Sequence, residues 1–541
     1  MTKRWLAIPA VLVGLTLATL AAAQDWPQWR GPQRNGVAPA GPALADAWPK
    51  EGPKKLWQSE KIQSGAEGGL GSVAVADGRA FVYANWKIHT PIDTRLVTQG
   101  VLRNLGWLSD LPEDLAKKLE AARTSSDRAA LKGDDLKKWI QAWVKENLAD
   151  PTTAPSSAPT PLMKKFGGYV QGRLNAGASA VSWEELGKLK AVVDKEFATQ
   201  AELVKWMQDN EISGNSQKQV IGGVAKEKIS FKDMVFCLDA ETGQTQWKKE
   251  FPGTGYDYGA SSTPAIAGGR CYIAMSNSNV YCLDAKSGEV VWQAKLGKGG
   301  CVSSSFLVAD NVAYLLGGQL TAFDAEKGAV LWAQPKVGGS DNSPVLWAQG
   351  QNRLLLVNTP GGVNAVDLAK GDIRWKVPGG SASTVAVEGD IMVAYGGGLF
   401  AYRISPEKAE KLWDQPKWQD RGASPIIYQK HAYVVGGRVA CVELESGQVK
   451  WEAKMGGEIS SPALADGKII SAVEGSNWLL LCRANPEKYE QLAKVKLSVV
   501  TCVSPAIVNG RLFLRTNDGV SCFDLTAAAN AASAPAPAEA K

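Results

Sequence analysis

The stretch CLDAKSGEVVW, residues 282–292, constrains this chain more than any other feature, because it returns in recognisable form along most of the length. Close copies are CLDAETGQTQW (237–247), AFDAEKGAVLW (322–332), AVDLAKGDIRW (365–375) and CVELESGQVKW (441–451). Each keeps an acid, a glycine and a tryptophan at one spacing. An alternating apolar run ends in Asp or Glu, a polar turn with Gly follows, and a second alternating run closes on Trp, which is the pattern of a β-hairpin. The Gly falls where the turn needs positive φ, and the acid can accept hydrogen bonds from turn amides. Upstream of each hairpin stands Ser-Ser/Thr-Pro, a short apolar strand, a Gly turn and a Tyr-containing strand, as in SSTPAIAGGRCYIAMS (261–276). One unit is therefore four strands.

Four antiparallel strands repeated at this period are the mark of a β-propeller blade, whose faces are covered only when neighbours stack radially. A leucine-rich or helical solenoid needs shorter or helical units, and a sandwich does not repeat its turn chemistry. Trp247, Trp292, Trp332, Trp375, Trp413 and Trp451 close six units, and AKVKL (493–497) closes another without Trp. Residues 502–525 supply three strands and stop, while KKLW (54–57) supplies a closing strand, with Trp57, that has no blade before it. Joining them removes an open edge. The expected fold class is all-β: an eight-bladed β-propeller of four-stranded antiparallel blades, with seven as the fallback, and an α-helical insertion in blade one. The tryptophans read as wedges between blades, and Gly243, Gly288, Gly328, Gly371 and Gly447 as the turn positions.

The remaining chain divides by composition. Residues 1–23 carry Lys3 and Arg4, an apolar run, and Ala21 and Ala23 where a signal peptidase reads, so a cleaved signal peptide is expected, with no stable membrane span after cleavage. Residues 24–53 form an N-terminal arm opening on DWPQWRGPQRNG, either a recognition segment or an ordered strap packing Trp26 and Trp29 across the ring. The closing strand and start of blade one occupy 54–86. From 87 to 232 helical periodicity replaces the repeat, at 110–122, 136–148, 182–197 and 199–210, around a Pro/Ser/Thr linker at 151–161. Ser182–Glu185 and Thr199–Glu202 have capping-box spacing. The insertion is either the element of specificity or a cap over one channel end. The rest of the propeller runs over 233–525, and the Ala/Pro-rich tail 526–541 is expected to be disordered.

Catalytic chemistry is poorly supplied. A net charge of +6 over 541 residues argues against a nucleic-acid binder. His89 and His431 are the only histidines, which leaves little from which to build a zinc site or a Ser/His/Asp relay. Five of the cysteines, Cys237, Cys282, Cys441, Cys482 and Cys522, share one repeat position with alanines and read as small core fillers; Cys271, Cys301 and Cys502 lie elsewhere. One constellation stands out. Residues just before the first strand of each blade gather at one mouth of a propeller channel: Glu67, Tyr256, Asp257, Tyr258, Asp341, Asn342, Asp420, Arg421 and Glu458. That is either a polar, mainly acidic contact ring for a cation, sugar or basic peptide, or a set of solvated loop residues.

The A/C-x-D-x-x-x-G-x-x-x-W units resemble the tryptophan-docking repeats of the pyrroloquinoline quinone (PQQ) propeller superfamily, over the whole chain outside the leader, insertion and tail. That superfamily includes quinoprotein dehydrogenases and noncatalytic members such as the BamB-type outer-membrane assembly factor. The opening DWPQWRGPQRNG resembles exported PQQ-like repeat proteins of planctomycetes. The dehydrogenases use adjacent cysteines, a metal held by acid and amide side chains, and a catalytic aspartate; this chain has no adjacent cysteines, so no catalytic, cofactor or metal residue is carried over. The resemblance implies an exported, periplasmic or secreted, noncatalytic binding or scaffold propeller for a protein or polysaccharide partner in the cell envelope, monomeric and without cofactor. The alternative is a PQQ-dependent alcohol or sugar oxidoreductase holding PQQ with calcium.

Overall fold

Each repeat begins at its turn. The Asp284 carboxylate accepts from the backbone N–H groups of Lys286 and Ser287, at 3.1 and 2.9 Å, and Gly288 turns the chain at φ 74°. A Cβ on Gly288 would lie 2.7 Å from the indole of Trp247, which belongs to the preceding repeat. Glycine is required twice over, for the backbone conformation and for the approach of the ring. The Trp247 indole N–H then donates to the Ala285 carbonyl at 3.2 Å. Trp57, Trp292, Trp332, Trp375, Trp413 and Trp451 dock in the same way, on the carbonyls of Ala240, Ala325, Leu368, Ser405, Leu444 and Asn485. Gly243, Gly328, Gly371 and Gly447 lie beneath Trp57, Trp292, Trp332 and Trp413. One indole thus ties each repeat that closes on Trp to the next, and only Gln491–Lys496 among the closing strands lacks one.

The structure is a computed structural model that describes residues 25–149, 160–255, 261–297, 302–419, 422–456 and 459–530. The expected leader, most of the 151–161 linker and tail residues 531–541 lie outside the described residues. The chain divides into two units, Met1–Ile88 with Ser230–Lys541, and His89–Ile229.

The first unit is a multi-bladed β-propeller. Among the described residues it holds eight four-stranded antiparallel sheets, numbered here in ring order from the one containing Ala74–Ala76. Each runs from an inner strand to an outer one, as in sheet three, from Leu307–Ala309 to Val330–Gln334. In sheet eight the outer strand is Lys54–Gln58, which pairs with Gly519–Asp524 so that Trp57 faces Cys522. The last sheet is thereby completed by the start of the chain. Inner strands of sheets one and two touch, as do those of seven and eight and of eight and one.

A second device holds the centre. In seven of the eight sheets the Ser/Thr of the Ser-Ser/Thr-Pro segment, or its counterpart, accepts through its hydroxyl from the backbone N–H of the equivalent residue in a neighbouring sheet. The chain of bonds runs Ser504 to Ser72, Thr263, Ser305, Ser343, Thr384, Ser424 and Ser461, at 2.8–3.2 Å. Arg515, fully buried, adds a clasp: its guanidinium donates to the carbonyls of Gln63, Gly68, Gly71 and Tyr83 and to the Ser64 hydroxyl, fixing the loop ahead of sheet one.

The second unit interrupts sheet one between strands Arg79–Pro91 and Glu227–Asp239. Its helices include Glu113–Arg123, Gly133–Asn147, Pro161–Ala176, Trp183–Lys190, Gln200–Asp209 and Gly214–Gly223. The Ser182–Glu185 capping box is reciprocal, whereas the Glu202 carboxylate accepts from Ala198 rather than from the cap residue Thr199. The helix expected over 182–197 ends at Lys190, and Glu196–Phe197 pairs as a strand with Arg95–Leu96. Residues 526–530, expected to begin a disordered tail, instead form a short helix, Ala527–Asn530. Asn530 is buried, and its Oδ1 accepts from Lys54 N at 3.2 Å.

Candidate functional site

The Ser/Thr ring surrounds an axial cavity of about 470 Å³. Ser72, Ser305, Ser343 and Ser461 line it at the level of the ring; Leu70, Ala382, Gly422, Ile459, Asp341 and Cys502 line it as well. The serine hydroxyls are already engaged, since each accepts an N–H from the next sheet. These four serve closure first, while Ser261 and Ser303 line the cavity as well. Asp341 is the one charged side chain among the described lining residues.

Trp29 lines the same cavity and donates its indole N–H to the Ser504 hydroxyl at 3.1 Å. It is carried there by the arm, which crosses the centre of the ring. Trp26 pairs with Val75 of sheet one, the Pro27 carbonyl accepts from Ile266 of sheet two, and the Gly36 carbonyl accepts from Leu464 of sheet seven. Two arginines pin it. Arg30 donates to the carbonyls of Asn35 and Pro425, and Arg34 to those of Ser305 and Phe306 and to the Gln28 side chain. Both are 1% exposed. Burial pushes both guanidiniums down to about 9, and Arg30 adds to the shift at Arg34 by repulsion. Backbone carbonyls replace water around these charges.

The candidate mouth residues fare differently. Asp341 borders the cavity. Glu67 lies in the loop clasped by Arg515, half exposed and 3.6 Å from the Lys87 ammonium. Asn342 is not a free contact: it is 2% exposed and its amide N–H groups donate to the carbonyls of Asn358 and Ser381. Tyr256, Asp257, Tyr258, Asp420, Arg421 and Glu458 lie outside the described residues.

Another buried group escaped the sequence reading. The Asp233 carboxylate accepts from the Tyr83 hydroxyl and Asn85 amide, each at 2.7 Å, and from the Ser276 hydroxyl and N–H at 2.8 and 3.1 Å. Burial pushes its carboxyl up and these bonds pull it back. It clamps sheet one to sheet two. The six buried cysteines, Cys237, Cys271, Cys282, Cys441, Cys482 and Cys522, are free thiols, and no group of His, Cys, Asp and Glu among the described residues has metal-holding geometry.

Sheets of this repeat, docked by tryptophan and closed around an axial cavity, define a multi-bladed β-propeller. More particularly, residues 232–395 match the family model described as outer membrane protein assembly factor BamB. No curated protein matches the chain. Among solved structures, BamB from Moraxella catarrhalis is 15% identical, with a TM-score of 0.43 over 53% of this chain and 90% of that one. A quinohemoprotein alcohol dehydrogenase from Pseudomonas putida is 12% identical, with a TM-score of 0.40 over 57% of this chain and 74% of that one. The computationally designed Ika8 protein is 12% identical, with a TM-score of 0.41 over 54% and 90%. Likeness at this level carries no argument about activity. No helix among the described residues is long and apolar enough to cross a membrane.

Proposed function

We propose that this chain is a noncatalytic binding propeller of the cell envelope, whose ring serves as a scaffold for a protein partner. The observation that carries this is the chemistry of the axial cavity. PQQ presents several carboxylates on a flat aromatic body and needs cationic or amide donors to hold them. The described lining offers no cation; its single charge, Asp341, has the same sign as the cofactor, and four of its six serine hydroxyls, those of Ser72, Ser305, Ser343 and Ser461, are engaged in closing the ring. These residues do not fit PQQ. The matching family model is described as an assembly factor, which favours a protein over a carbohydrate as the partner and the envelope as the place.

The test is direct. Purified protein is incubated with PQQ and calcium, desalted, and examined for cofactor absorbance and for dye-linked oxidation of alcohols and sugars. The expected result is neither retained absorbance nor dye reduction. Stoichiometric retention with substrate-dependent dye reduction would restore the oxidoreductase reading.

A further inference from the structure

Every sheet in the ring leaves one open edge, its outer strand, and exposed edges are ordinarily protected by charged side chains. Seven of the eight outer strands carry Lys, Arg, Asp or Glu; Val330–Gln334, with the sequence VLWAQ, carries none. Val330 and Leu331 are also the most exposed large aliphatic residues of the described chain, at 56% and 52%. On the adjoining sheet Val290 and Val291 are exposed too.

The repeat shows that this is a departure. Just before the docking Trp, other sheets place Gln246, Arg374 or Lys450, and where Leu56 or Leu412 stands there a lysine, Lys55 or Lys411, precedes it. Only sheets two and three put aliphatic residues at both positions, Val290 with Val291 and Val330 with Leu331. Lys327 and Lys336 stand on either side of the uncharged strand, both exposed, and neither forms an ion pair among the described residues. Self-pairing of so short a strand buries far less than the roughly 1,200 Å² of a stable dimer, which argues against a second copy as the occupant.

We propose that strand Val330–Gln334 is a docking edge for an extended segment of a partner protein, apolar in its middle and acidic at both ends, which adds to sheet three as a further strand. The main chain supplies the hydrogen bonds, the aliphatic patch the apolar contact, and Lys327 and Lys336 the selection for acidic ends. This deepens the partner-binding reading and rests on it.

The probe is a fluorescein-labelled peptide alternating valine and threonine with paired aspartates at both ends, titrated with the full chain and followed by anisotropy. A second peptide has lysines at its ends. Saturable binding is expected for the first and binding about tenfold weaker for the second, from two ion pairs exchanged for two repulsions. Leu331→Lys abolishes binding while leaving the circular dichroism and thermal midpoint unchanged, and Val449→Lys, on another outer strand, binds as the parent does. Absence of binding by the parent, equal binding of both peptides, or binding undiminished in Leu331→Lys overturns the proposal. So does a dimer in sedimentation that Leu331→Lys dissociates, which assigns the edge to a second copy. PQQ retention with peptide binding intact defeats only the functional reading; loss of peptide binding without PQQ retention defeats only this one.

Discussion

Replacing Trp57 by alanine tests the closure on which the cavity depends. Trp57 is 9% exposed, meets Phe513 edge-on at 5.8 Å, covers Gly243 and donates to the Ala240 carbonyl at 3.1 Å. Truncating a buried Trp costs about 3–5 kcal/mol, and the Ala240 carbonyl left without its donor adds about 1 kcal/mol. The expected loss is thus about 5 kcal/mol, near the upper end of ordinary single substitutions. At ~2.1 cal/mol/K per residue, a propeller of this size has an unfolding entropy of roughly 0.8 kcal/mol/K, so the midpoint should fall by about 6 °C. Differential scanning calorimetry measures the shift. Hydrogen exchange supplies the location, because Lys54–Gln58 and its partner Gly519–Asp524 should lose protection together. A midpoint within 1 °C of the parent, or exchange unchanged across both strands, would refute the argument that the first strand locks the ring.

Two further perturbations probe other supports. Arg515→Met leaves the carbonyls of Gln63, Gly68, Gly71 and Tyr83 without their donor; a loss of about 3 kcal/mol in urea unfolding is expected, with faster exchange in the 62–71 loop. In the helical unit, burial raises the Glu185 carboxyl, but the N–H groups of Ser213 and Ser182 and nearby hydroxyls outweigh it and hold it at about 2, against an ordinary 4.5. Because the folded value is depressed, the stabilisation is full above the ordinary value and is lost as pH falls through the folded one. About 1 kcal/mol after solvent screening is expected to disappear over that window. The protection factors at Ser182 and Ser213, which remove the intrinsic pH dependence of amide exchange, should therefore fall on acidification in the parent and stay flat in Glu185→Gln.

The propeller was legible because its information is local and repeated. Asp284, Gly288 and Trp292 lie within one short segment, and the turn bonds of Asp284 reach residues only two and three positions away. The site was less legible. Asp341 was found by its place ahead of an inner strand, yet Asn342, next to it, turned inward to the carbonyls of Asn358 and Ser381. Trp29 was placed across the ring by one of the two readings of the arm, with no signal that it would line the cavity; the Ser-Ser/Thr-Pro segments were seen, but not that their hydroxyls bond from sheet to sheet.

By itself the sequence determined the unit, its strand count, the glycine turns, the tryptophans as wedges between blades, and the need for an amino-terminal strand to finish the last sheet. Only the tertiary structure decided what faces the axis, what floors it, and which outer edge stands unprotected. The reason is separation along the chain: Trp29 meets Ser504 across 475 residues and Arg34 meets Phe306 across 272. Contacts of that range exist only once the ring has closed, so periodicity, which reads neighbours, has no access to them.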